Sequence, residues 1–404
     1  MATKQFIISG TSDDPGTAST DYSGLMGNGN IAWTSPETDC SELISTPGKL
    51  SNFKVGIKTA PGTGKSWTFT IRQNGIDTAL SVSISNSSTI SALDTDEVTV
   101  AAGDKVSISA TPAGTPTACA AVYWTCQFTP DTDGETMLLG YGSLTADYYD
   151  SLIGGKGGDV TEFDAQTLFP TAGTLKQFYV ELNAAPGTGN SRTFTLYKNS
   201  VVTAIAVTIS NSATTGNDLV NTLTIAAGDK VTIKQTQTGT PATARAFFGT
   251  TFLPNTQGEY IVSATTDDLT SSTAVEYQQL TCGDSTLTAT ENEQHGLAQA
   301  LTAKAIYVNL VNAPGNGSSW IFTLREALLD TTLTVTISNT ATSGNAATDE
   351  AVAADALVNS SIDARAGTVT SATQIAYLLY NAPTGVAGVQ AGYYYRMYGK
   401  GTAE

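Results

Sequence analysis

A few residue patterns in this chain could carry chemistry. Ala60-Pro61-Gly62-Thr63-Gly64-Lys65-Ser66 has the glycine spacing of a phosphate-binding loop, in which backbone N–H groups and a lysine cradle an anion. His295 is the single histidine among 404 residues, so a Ser-His-Asp relay would have to be built around it. Two close carboxylate pairs, Asp147 with Asp150 and Asp94 with Asp96, could act as a glycosidase acid and its partner. Asp131 and Asp133 have the composition of a calcium loop. The run Asp147-Tyr148-Tyr149-Asp150 joins aromatic to acidic side chains as sugar-binding patches do; tyrosine is equally enriched at protein contacts.

Repetition weakens most of these readings. The loop at 60–66 recurs as Ala185-Pro186-Gly187-Thr188-Gly189-Asn190-Ser191 and as Ala313-Pro314-Gly315-Asn316-Gly317-Ser318-Ser319, so its lysine is replaced twice. The leading glycine that a phosphate loop needs is Thr59, and the loop joins two strands where a strand and a helix are required. Asp131 and Asp133 return as Asn255 and Gln257, which points to a solvated linker turn. No nucleophile turn accompanies His295, which is expected in an exposed loop. The expectation is therefore no catalytic residue, no cofactor and no metal. The candidate interaction surface comprises Asp147, Tyr148, Tyr149 and Asp150, with Tyr393 and Tyr395 near the C-terminus.

Composition narrows the partners. Lys+Arg 19 against Asp+Glu 36 gives a net charge of −17, the wrong sign for a phosphate backbone, so nucleic acid is excluded as a partner. No run approaches the ~18 apolar residues that cross a bilayer, and the start lacks the apolar core of a secretory signal. Cys40, Cys119, Cys126 and Cys282 do not recur between copies, which argues for buried free thiols over a disulfide framework or zinc site.

The elements that must position these residues come from one repeated unit. Pro61, Pro186 and Pro314 are 125 and 128 residues apart, and Ile84-Ser85-Asn86 returns at the same steps as Ile209-Ser210-Asn211 and Ile337-Ser338-Asn339. Ala102-Gly103-Asp104-Lys105-Val106 returns as Ala227-Gly228-Asp229-Lys230-Val231, and becomes Ala354-Asp355-Ala356-Leu357-Val358 in the third copy. A unit of this size can bury a core alone, so the chain reads as tandem domains at 1–130, 131–256 and a diverged 257–404. Within each copy the period is two, as in Phe53, Val55, Ile57 and then Trp67, Phe69, Ile71. Apolar opening strands (Phe6-Ile7-Ile8, Met137-Leu138-Leu139, Tyr260-Ile261-Val262) and aromatic closing strands complete about eight per copy; the last closing strand is expected at 393–398. The predicted fold is all-β, three tandem antiparallel β-sandwich domains of jelly-roll type. An immunoglobulin-like sandwich is the alternative, without its cysteine and tryptophan spacing.

The run from Ala60 to Gly75, with Asp77-Thr78-Ala79-Leu80 and Val100 to Val106, resembles jelly-roll modules of tailed-bacteriophage virion proteins. It is also similar to the trimeric, tumour-necrosis-factor-like domains of spore-surface proteins. The resemblance covers all three copies, most weakly the third. It implies trimers, display on a particle surface and no enzymatic activity. On that basis the expected function is a structural virion protein of a bacteriophage, decorating or stabilising the capsid or forming a head or tail fibre. The partners would be itself, as a homotrimer, and virion proteins such as the major capsid protein. The expected location is the virion surface, after synthesis in the host cytoplasm without a signal peptide. The alternative is an adhesin that binds a host-surface glycan or receptor through its variable loops.

Overall fold

The computed structural model describes residues 3–27, 33–144, 147–155, 158–269, 275–281, 287–365 and 371–382. Alternation in the sequence becomes strands with one buried row. Gly48–Ile57 and Gly62–Gln73 turn Phe53, Val55, Ile57, Trp67, Phe69 and Ile71 fully inward. On the opposite face, Thr68 and Thr70 meet Ser83 and Ser81 across the sheet at 2.9 and 2.8 Å, the short polar pairs that a wetted face accommodates.

Among the described residues six sheets, antiparallel except for a short parallel edge at Gly154–Gly155, pair into three sandwiches. In the first, Gln5–Thr11, Val122–Pro130, Gly48–Ile57 and Val98–Val100 lie side by side. They face Asp21–Ser23, Lys105–Ala113, Gly62–Gln73 and Ile76–Asn86. Numbered along the chain this is 1-8-3-6 against 2-7-4-5, the strand order of a jelly roll, and both other sandwiches repeat it.

The third closing strand differs from expectation. It is Ser371–Tyr380, paired with Glu259–Leu269 and Leu301–Leu310, while 393–398 lies outside the described residues. The tyrosine run at 393–395 has the stronger strand composition, but pairing depends on the position that faces the neighbouring strands.

The recurrent Pro-Gly loop crosses from one sheet to the facing sheet in every copy, between Gly48–Ile57 and Gly62–Gln73 in the first. Gly64, Gly189 and Gly317 adopt φ of 74°, 79° and 78°, and Asn86, Asn211 and Asn339 sit at 59°, 57° and 57°. Each asparagine Oδ1 accepts a hydrogen bond from the N–H of the matching glycine, at 2.8, 2.8 and 2.9 Å. Glycine and asparagine are the residues that enter this left-handed region at least cost, which explains why both recur while Lys65 does not.

The copies close on one another in a cycle. Glu42–Leu43 of the first copy packs on Thr136–Leu144, Gly173–Leu182 and Ala244–Pro254 of the second. Thr167–Leu168 of the second packs on Glu259–Leu269, Leu301–Leu310 and Ser371–Tyr380 of the third. Gly296–Leu297 of the third returns to Gln5–Thr11, Gly48–Ile57 and Val122–Pro130 of the first. Cores are shared in the same sense. Met137 and Leu139 join the first copy's core, Ile261 the second's, and Phe6 and Ile8 the third's. One chain thus forms a ring of three sandwiches with pseudo-threefold symmetry.

Candidate functional site

The predicted surface begins on the second copy, where the chain leaves its opening strand and Tyr149–Asp150 adds to the edge of Lys230–Thr238. Strand alternation decides what each residue does. Asp147 is exposed, and its Oδ1 accepts from the N–H of Gln237 at 3.0 Å. Tyr148 is half-buried and its carbonyl accepts from the N–H of Gln235 at 2.8 Å. The Tyr149 ring stands over Lys234, whose Nζ lies 5.4 Å from that ring and 5.5 Å from the ring of Tyr197. An ammonium held between two aromatic faces is a cation–π arrangement.

Asp150 turns the other way and is 0% exposed, with neither carboxylate oxygen hydrogen-bonded. Burial, with Asp159 adding to it, pushes its carboxyl up to about 8. A fully enclosed acid cannot touch a ligand, so the exposed part of the predicted patch reduces to Asp147, Tyr148 and Tyr149. The position is polar in every copy: Ser23 and Gln278 occupy it elsewhere, both 0% exposed, each with an oxygen lacking a partner. Tyr393 and Tyr395 lie outside the described residues.

The matched positions show what sets the second copy apart. In the first, Arg72 lies 5.4 Å from the ring of Tyr22 and donates to Glu37 at 3.0 Å and to Asp77. In the third, Arg325 lies 5.6 Å from Tyr277 and pairs with Glu291 at 2.8 Å and Asp330 at 2.6 Å. Those hydrogen bonds, Glu291 first, raise the guanidinium pKa against partial burial. The second copy has Tyr197, Phe163 and Val202 at the arginine, glutamate and aspartate positions. An ion-pair cluster has become an aromatic–lysine one, and Val202 is 60% exposed.

Compared with family models and with curated proteins, the chain matches none.

The remaining candidates are placed by turns and cores. Asp94 accepts from the N–H groups of Ser81 and Asp96 at 2.8 and 3.0 Å, which makes it a turn anchor. Asp133 accepts from the N–H of Thr3 at 3.1 Å, tying the connector to the chain's beginning. Among the described residues no cluster of three His, Cys, Asp or Glu side chains could hold a metal ion. Cys40, Cys119 and Cys126 are buried free thiols, and burial pushes Cys126 up to about 12; Cys282 lies outside the described residues.

His295 corrects the expectation of an exposed loop. It is 2% exposed, packed edge-on against Tyr123 with ring centroids 6.0 Å apart. Its burial comes from another copy, which local sequence does not reveal. The junctions between copies were also missed. Glu135 is held by Thr46 and by Lys176 at 2.5 Å, and Glu259 by Thr171 at 2.8 Å and Lys304 at 3.1 Å. The signal was present in the two connectors, which end alike in Gly134-Glu135 and Gly258-Glu259, each followed by a lysine in the third main strand.

Proposed function

We propose that this chain is a non-enzymatic structural protein of a bacteriophage particle, displayed on the capsid surface or built into a head or tail fibre. The observation that supports this most is the closed ring of three jelly rolls. Equivalent points on such a ring stand at equal height about its axis, so loops and hairpin ends are offered in threes, as a particle surface built on threefold relations would use them. In this reading a single chain takes the place of the homotrimer. Sedimentation should therefore give about one 41.8 kDa chain, whereas a stable mass of three chains would count against it. The deciding test is purification of the particles followed by labelling with a gold-tagged antibody against the chain. Regularly spaced label is expected, and a chain absent from the particles would overturn the proposal.

The second reading, a glycan- or receptor-binding adhesin, is favoured by the Tyr149–Lys234–Tyr197 stack beside exposed Asp147. Aromatic faces with adjacent polar groups suit sugar rings. A glycan array probed with the whole chain and with Tyr148→Ala/Tyr149→Ala should lose signal in the variant. A blank array for both would dispose of this reading.

A further inference from the structure

The three junctions of the ring are alike in geometry but not in construction. The first two are crossed by the polypeptide, at 131–135 and 255–259, and each carries a buried glutamate clasped by a threonine and a lysine. At the third, where Gly296–Leu297 meets Gln5–Thr11, no polypeptide crossing occurs among the described residues. It is held by Phe6 and Ile8 in the third copy's core, by Lys54–Asp355 at 2.7 Å and Lys58–Glu293 at 2.6 Å, and by Gln299 donating to the carbonyl of Asn52 at 2.9 Å. If the ring opens without unfolding, it opens there.

At the centre of this junction sits His295. Strand registers match it to Ser41 and Gln166 at the other two junctions, neither of which titrates. Neither imidazole nitrogen has a hydrogen-bond partner, so the ring is packed as an apolar plate against Tyr123. The charged groups around it are already committed. Glu291 is bound twice by Arg325, both contacts at 2.8 Å, and Glu293 by Lys58; across the junction the Tyr123 hydroxyl donates to the carbonyl of Ile57 at 3.1 Å. A proton arriving on the imidazole would meet a carboxylate, Glu291, already bound by Arg325, and the positive charge of that guanidinium.

We propose that the junction between the third and first copies is an acid-operated latch, with His295 as its titrating group. Protonation creates a buried, unpaired imidazolium that the closed junction cannot solvate and the open one can. Burial, opposed by Glu291 and assisted by Arg325, holds this imidazole down to about 4, against 6.5 when it is free. The sign follows directly. The closed form is fully favoured above 6.5 and loses its advantage as pH falls from there towards 4. By pH 4.5 the closing equilibrium should have weakened on the order of a hundredfold.

Hydrogen–deuterium exchange on the full chain between pH 7.5 and 4.5, corrected for intrinsic rates, tests this with internal references. Gln5–Thr11 should lose protection on acidification while the matched strands Thr136–Leu144 and Glu259–Leu269 keep theirs. His295→Gln, which installs the residue of the second junction, should stay closed. Because the chain has one histidine, its Cε1–H resonance can be followed in the unmodified protein, so the test survives a variant that fails to fold. That signal should titrate below 6.5, together with the loss of protection. The latch is refuted by equal changes in all three strands, by an unchanged Gln5–Thr11, by His295→Gln opening like the parent, or by imidazole titration without opening.

Discussion

Two enclosed acids make the clearest residue-scale prediction. Glu42 is 0% exposed, and its Oε2 accepts from the N–H groups of Leu25 and Met26 at 2.7 and 2.9 Å, yet burial still pushes it up to about 8. Asp150 stands at about the same value without any hydrogen bond to its carboxylate. Both pKa values are raised in the folded chain, so the fold binds protons that the unfolded chain releases, and stability falls as pH rises through 8. Between pH 7 and 9 each acid should cost about 1.4 kcal/mol. Calorimetry across that range should show a falling melting temperature, and Glu42→Gln with Asp150→Asn should flatten it; an identical slope in the double variant would contradict the assignment. Asp150 was partly legible, because the strand period places it opposite Tyr149. What the period alone did not convey is that Ser23 and Gln278 fill the same enclosed polar position. His295 was not legible at all, since it follows the polar run Glu291-Asn292-Glu293-Gln294 and is enclosed only by the neighbouring copy.

At the scale of elements, the Pro-Gly loops separate residues that hold a turn from residues that merely occupy it. Asn86→Ala removes both the bond to the Gly64 N–H and a side chain suited to φ 59°, and should cost about 1–2 kcal/mol in denaturant unfolding. Lys65→Ala should lie within about 0.5 kcal/mol of the parent, because this half-buried side chain does not hold the turn. The reverse ranking would restore interest in Lys65. Most of the sandwich was readable because alternating rows such as Phe53, Val55 and Ile57 leave few arrangements. The opening strands carried a second message in their unbroken apolar runs, such as Met137-Leu138-Leu139, since burial on both faces removes alternation. The last closing strand was misplaced because tyrosine content outweighed spacing: one repeat step of 128 beyond Phe248 falls inside Ser371–Tyr380.

For the whole molecule, close packing between copies should matter as much as the individual cores. Gly249, in the strand facing Glu42–Leu43, has no room for a side chain: a Cβ there would come 2.0 Å from the Leu43 carbonyl oxygen. Gly249→Val should therefore separate the first and second copies while leaving each sandwich folded, which small-angle scattering would register as a larger radius with unchanged β-sheet circular dichroism. An unaltered radius would mean that this junction yields elsewhere. The direction of the cycle was not visible in the sequence, because repeats specify which residues are equivalent and not which copies touch.

The replacement of Arg72 and Arg325 by Tyr197 carries a consequence of its own. A ring of three identical subunits must accept every substitution three times, so a feature useful at one site is imposed on all. Linking the copies in one gene lifts that constraint, and each third of the circle can drift toward a separate task. The molecule therefore has a rotational orientation about its axis that a symmetric ring lacks. A partner that bound the ring could tell one side from the others.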